Sequence, residues 1–190
     1  LFNPNPKGDY VAFLGRISPE KRPDRAIEIA RRAGMKIKIA AKVDKADLKY
    51  FRECIEPLLS QPHVEFIGEI GENDKSEFLG NALALLFPID WPEPFGLVMI
   101  ESMSCGTPVI AWRCGSVPEV IDPGITGWIV DSIDAAVEAL KQVERLDRYG
   151  VRRQFEERFT VQRMAADYLA IYNRLLEAGD KAGEAVLAQV

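Results

Sequence analysis

The feature that most constrains this chain is the regular exchange of short apolar or β-branched runs with helix-periodic stretches. Runs over 10–15, 36–41, 64–67, 82–87, 108–111 and 127–130 predict strands, and the segments 23–33, 45–58, about 74–80 and 96–105 predict helices between them. Such alternation predicts an α/β fold: a Rossmann-like parallel sheet with helices on both faces. The runs 82–87 and 108–111 are continuously apolar, as strands covered on both sides must be, and belong in the interior of the sheet.

The ends read differently. Residues 1–8, LFNPNPKG, are rich in proline, which keeps each preceding residue out of the helical region, and predict an extended linker. Residues 9–179 form the folded unit. Its last helix opens at Thr160, which can cap it, carries an apolar stripe through Val161, Met164, Ala165, Tyr168, Leu169, Tyr172, Leu175 and Leu176, and ends near Gly179. The small-residue tail 180–190 is expected to fray.

Several function classes are excluded by composition. With 47% hydrophobic and 28% charged residues the 190-residue chain suits one globular domain, and a net charge of −5 with scattered basic residues argues against a nucleic-acid partner. The longest apolar run falls far short of the roughly 20 residues that span a bilayer. Cys54, Cys105 and Cys114 lack metal-binding or disulfide spacing, so reduced thiols and a cytoplasmic location are expected. His63, the only histidine, falls at a strand entrance, where a structural role is favoured over catalysis.

In parallel α/β sheets ligands bind beyond the carboxyl ends of the strands, and the chemistry-bearing residues cluster there. Arg16 and Lys21 follow the first strand; a guanidinium fork and a compact ammonium together suit a diphosphate, although each alone also suits a solvated surface loop. The stretch EPFGLVMIE, Glu93 to Glu101, sets two carboxylates either side of a helix start, with Pro94 placed to open the helix and Gly96 to admit a ligand close to the first-turn amides near Gly96 and Leu97. Glu101 shares a helix face with Leu97, Val98 and Cys105 and is expected on the apolar side, where ribose hydroxyls would supply its donors; the plainer reading is a half-exposed glutamate paired with a nearby cation. Glu93 suits sugar hydroxyls or positive character at a reacting sugar carbon, or simple solvation. Trp91 either lines that pocket or packs on its own loop, the second being favoured.

Other motifs fail. There is no G-x-G-x-x-G after the first strand and no G-x-x-x-x-G-K-[ST], and Ser104 lacks the first glycine of a nucleophile elbow. No D-x-D or His/Cys/Asp cluster suggests a metal, so no metal or other cofactor is expected.

The segments FLGRISPEK, VEFIGEI, EPFGLVMIE, ESMSCGTPVIAWRCGSVPEVI and GITGWIV, in this order, resemble the C-terminal domain of the group 1 (family 4) retaining glycosyltransferases, whose two similar domains form the GT-B architecture. The resemblance implies a nucleotide-diphosphate sugar as donor, transferred with retention and without a metal. By position it implies Arg16, Lys21, Gly96 and Leu97 on the diphosphate, Glu93 as catalytic and sugar-facing carboxylate, Phe95 at the sugar, Glu101 on the ribose, and backbone around Gly68 to Ile70 at the base. Ser116 departs from the pattern, which often has a second glycine there, so the local loop shape is open. The acceptor site would belong to an N-terminal half outside this chain, through which the whole protein could also meet a membrane. Two other functions fit the same residues: a non-catalytic nucleotide-sugar-binding module and a nucleotide-sugar epimerase of related fold.

Overall fold

The computed structural model describes residues 8–187, with side chains through Ala178. The expected linker therefore lies outside the described residues except for Gly8. The chain divides into two compact units, the first ending at Gln154 and the second beginning at Phe155.

In the first unit β1 (Tyr10–Arg16), β2 (Lys36–Lys42), β3 (Val64–Gly68), β4 (Ala84–Phe87), β5 (Val109–Trp112) and β6 (Gly127–Val130) form a six-stranded sheet in the order β3-β2-β1-β4-β5-β6. All five pairings are parallel, and the sheet is the Rossmann-like one expected. β1 and β4 are the central pair and β5 is also interior.

Helix placement follows from strand order. The chain steps outward from β1 to β2 through α1 (Pro23–Ala33), and steps the other way from β4 to β5 through α4 (Leu97–Ser104). Right-handed crossovers taken in opposite directions put their helices on opposite faces. Accordingly α1 packs beside α6 (Ile133–Leu140), and α4 beside α3 (Glu72–Gly80). α1 buries Ala26, Ile27, Ile29 and Ala30, which join Val11 and Phe13 of β1, Ile37 and Ile39 of β2 and Leu140 of α6 in one core. Each fully buried isoleucine or leucine there contributes about 1.5–3 kcal/mol.

Local chemistry explains the departures. The segment 45–58 is not one α-helix: a 3-10 turn leads into α2 (Leu48–Tyr50), a π turn over Phe51–Ile55 and a second 3-10 turn over Glu56–Leu58. Pro57 has no N–H to continue the regular ladder, and the Glu56 N–H reaches back to the Phe51 carbonyl. α5 (Val117–Val120), α6 and α7 (Arg148–Arg158) were not expected. α6 is capped by the Ser132 hydroxyl, which accepts from the Ala135 N–H at 3.2 Å. At the start of α7 the buried Arg148 donates to the carbonyls of Ala82 (2.8 Å) and Gly80 (3.0 Å) and to the Thr107 hydroxyl, fastening the entrances of β4 and β5.

In the second unit α8 (Val161–Leu187) starts where Thr160 predicts, with the hydroxyl accepting from the Arg163 N–H at 3.2 Å. It runs past the stop expected at Gly179. A lone glycine weakens a helix by about 1 kcal/mol but does not end it unless the chain turns left-handed there.

Candidate functional site

The strand order reverses between β1 and β4, so the loops leaving these strands diverge to opposite faces and open a crevice at their carboxyl ends. The loop after β1 carries Lys21, with Arg16 ending the strand itself; the loop after β4 carries Asp90 to Gly96. The two loops are stitched together. The Asp90 N–H donates to the Glu20 carbonyl at 2.8 Å, and the Asp90 carboxylate accepts from Arg22 (3.0 Å) and Arg25 (3.1 Å). Arg22 sits in the left-handed region at φ 53°, and its guanidinium also grips Asp24, whose carboxylate accepts from the Tyr50 hydroxyl at 2.9 Å. Burial alone would raise the Asp24 pKa, but the donors from Arg22 and Tyr50 outweigh it and hold the carboxyl below its usual value.

Glu93, on the loop after β4, reaches across to the loop after β1. Its Oε2 accepts from Lys21 and from the Trp91 indole N–H at 3.1 Å. Its carbonyl accepts from the Ser116 N–H at 2.9 Å, while the Ser116 hydroxyl donates to the Phe95 carbonyl at 2.8 Å. Ser116 thus clasps the 93–95 segment, giving the departure from the family pattern a definite local function. Gly115 beside it has φ 55°, and a Cβ there would run into the backbone of Pro92 and Glu93.

Glu101 lies on α4 itself. The helix buries Met99, Ser102 and Met103, so Leu97, Val98 and Glu101 are turned outward to line a cleft of about 390 Å³ with Gly15, Ile70 and Lys75. The expectation of a carboxylate on the buried side is corrected by this. Glu101 is about one-third exposed (34%), and its Oε1 accepts from Lys75 of α3 at 3.2 Å. Pro94 does not open the helix either: α4 begins at Leu97, behind Gly96 in left-handed conformation at φ 78°, where a side chain would meet Met99.

The expected residues therefore gather unevenly. Lys21 and Glu93 touch; Leu97, Glu101 and Ile70 share one cleft; Arg16 and Lys21 line a second of about 380 Å³ with Glu20 and Trp91. Arg16 is spread over Glu20 (3.6 Å), Asp44 (3.9 Å) and Asp47 (3.5 Å). Phe95 is 43% exposed. Gly68, left-handed at the end of β3, does not line the cleft that Ile70 enters. Trp91 is 39% exposed and lines the Lys21 cleft rather than lying buried on its own loop. Among the described residues no group of three or more His, Cys, Asp or Glu could hold a metal, and no helix is long and apolar enough to cross a membrane.

Sequence reasoning missed Lys75, Trp91 as a donor to Glu93, and the Gly115–Ser116 clasp. Lys75 had a faint signal, a lone cation in the acidic helix ENDKSE, but only the packing of α3 on α4 selects its partner.

The six-stranded parallel sheet, with its crevice at the β1/β4 reversal, matches one half of solved GT-B glycosyltransferases. The sequence profile described as Glycosyl transferases group 1 matches residues 2–160, and the chain belongs to that family. It is 32% identical over 152 residues, 73% of this chain and 32% of the relative, to a D-inositol 3-phosphate glycosyltransferase of Mycolicibacterium smegmatis. It is 31% identical over 140 residues, 70% of this chain and 36% of the relative, to an N-acetyl-alpha-D-glucosaminyl L-malate synthase of Bacillus anthracis. Among solved structures, a glycosyltransferase involved in avilamycin A biosynthesis superposes with a TM-score of 0.76 at 28% identity, covering 90% of this chain and 52% of that one. The sucrose-phosphate synthase of Thermosynechococcus elongatus shares the fold with a TM-score of 0.75 at 22% identity, covering 90% of this chain and 46% of its own. The chain spans about a third of the length of these two curated relatives.

Proposed function

We propose that this chain is the donor-binding domain of a retaining glycosyltransferase that moves a sugar from a nucleotide-diphosphate sugar to an acceptor. The observation that carries the reading is the meeting of Lys21, from the loop after β1, with Glu93, which precedes α4, beside the cleft that holds Leu97 and Glu101. In this reading Arg16, Lys21 and the amides at Gly96 and Leu97 hold the diphosphate, and stabilise it more strongly as its charge develops on leaving. Glu93 faces the transferred sugar beside Phe95, Glu101 takes the ribose hydroxyls, and the base lies along the backbone from Gly68 to Ile70. These cations and amides can meet the diphosphate charge without a metal. The acceptor attacks from the face the diphosphate leaves.

Residues 9–179 make up the donor domain, and the acceptor site belongs to a second GT-B half; sharing only about a third of its curated relatives' length supports this. Alone, the chain binds donor with little or no turnover. Cys54, Cys105 and Cys114 are free thiols, which supports a reducing, cytoplasmic setting.

Calorimetry with uridine, guanosine and adenosine diphosphates, free and sugar-linked, tests the reading. At least one binds, and Lys21→Ala weakens it by about tenfold to a hundredfold, the equivalent of a lost charge-assisted contact of about 1.5–3 kcal/mol. Binding by none of them overturns the donor site, and an unchanged affinity removes Lys21 from it.

A further inference from the structure

We infer that Lys75 is a positioning residue for a nucleoside ribose, acting through Glu101; this rests on the donor-site reading above. A carboxylate that recognises a vicinal diol must present its lone pairs in a fixed direction, yet a glutamate near the middle of a helix has three rotatable bonds and no intrinsic preference for the cleft. The structure supplies a restraint from outside α4. Lys75 leaves α3 with its side chain 23% exposed, and its ammonium reaches Glu101 Oε1 at 3.2 Å and Glu72 at 2.6 Å.

The two contacts have different roles. Glu72 is 83% exposed, so that pair is screened and serves mainly to hold the flexible lysine stem over the cleft. Glu101 is 34% exposed and lines the cleft with Gly15, Ile70, Leu97 and Val98, so the longer 3.2 Å contact is the one that acts on a cleft-lining carboxylate. An ionised carboxylate has about four lone-pair directions, so one bond from Lys75 to Oε1 leaves Oε2 outside that bond for a ligand's hydroxyls. The α3 lysine thereby converts a mobile side chain into an oriented acceptor. Its contribution is a reduced ordering cost on binding, felt only by ligands that carry the hydroxyls.

That selectivity supplies the test. The affinities of the 190-residue chain and its Lys75→Met variant are compared by calorimetric competition for uridine, guanosine and adenosine diphosphates and for their 2′,3′-dideoxy counterparts. The variant is expected to bind the ribonucleotide about tenfold more weakly, with less than about a twofold change for the dideoxy ligand, and Lys75→Arg recovers most of the loss. Where Met destabilises the fold, Lys75→Gln gives the same comparison. Equal losses on both ligands, or no loss on either, overturn the positioning role while leaving the donor site intact. A wild-type chain that binds none of the diphosphates overturns the donor site and this inference together.

Discussion

Replacing Gly115 with alanine tests how the loop after β5 holds the acidic residue of the β4 loop. Gly115 has φ 55°, a conformation that costs a residue with a Cβ about 1–2 kcal/mol. The added carbon also meets backbone, not a side chain that could rotate away: the atoms in its path are the N and O of Glu93 and the C of Pro92. The two segments must then separate, and the bonds that bring them together, Ser116 N–H to Glu93 O at 2.9 Å and Ser116 Oγ to Phe95 O at 2.8 Å, are lost or stretched. At about 1 kcal/mol each they bring the total to about 3–4 kcal/mol. For a chain of this size about 1 kcal/mol moves Tm by roughly 2–4 °C, so Gly115→Ala should lower Tm by about 10 °C. The control is Gly34→Ala. Gly34 is equally left-handed, at φ 67°, but has nothing within 4 Å of the added carbon, so it should show only the strain, about 2–8 °C. Differential scanning calorimetry measures both, and nucleoside diphosphate titration should show weaker binding for the Gly115 variant only. Equal Tm losses would refute the close-approach argument and leave backbone strain as the whole effect.

Two further variants separate the site from its scaffold. Arg148→Met removes three donated hydrogen bonds at the entrances of β4 and β5, at the opposite end of the sheet from the crevice, and should destabilise by about 2–4 kcal/mol in denaturant unfolding while leaving nucleoside diphosphate affinity unchanged. Asp24→Asn weakens the grip on Arg22 and Tyr50 and should lower Tm at neutral pH. Because the Asp24 pKa is depressed in the fold, its stabilisation is complete above the ordinary carboxylate value of about 4 and lost as pH falls through the lower folded value, so the two melting curves should converge on acidification.

What the sequence revealed and what it hid have a common cause. Strands such as 84–87 and 109–112 are legible because burial on both faces demands unbroken apolar residues, and α1 because its proline start and glycine stop are local signals. α5 and α7 are harder: α5 is a single turn, and α7 buries only Arg148 and Val151, too few positions to establish a helical period. α6 had a readable serine cap ahead of an amphipathic run and could have been found.

The same distinction runs through the site. The spacing between Glu93 and Glu101 and the glycine before α4 are local, so sequence exposes them, but the partners that orient the two carboxylates are not. Lys21 lies 72 residues from Glu93 and Lys75 lies 26 residues from Glu101, each on a different element. Each is chosen by topology: the β1/β4 adjacency delivers the first, and packing of α3 on α4 the second. Both acidic residues are therefore held on one oxygen by a lysine, with the other oxygen outside those bonds. A pattern confined to one loop and helix can specify which groups are present; their orientation comes from neighbours that become adjacent only once the sheet has formed.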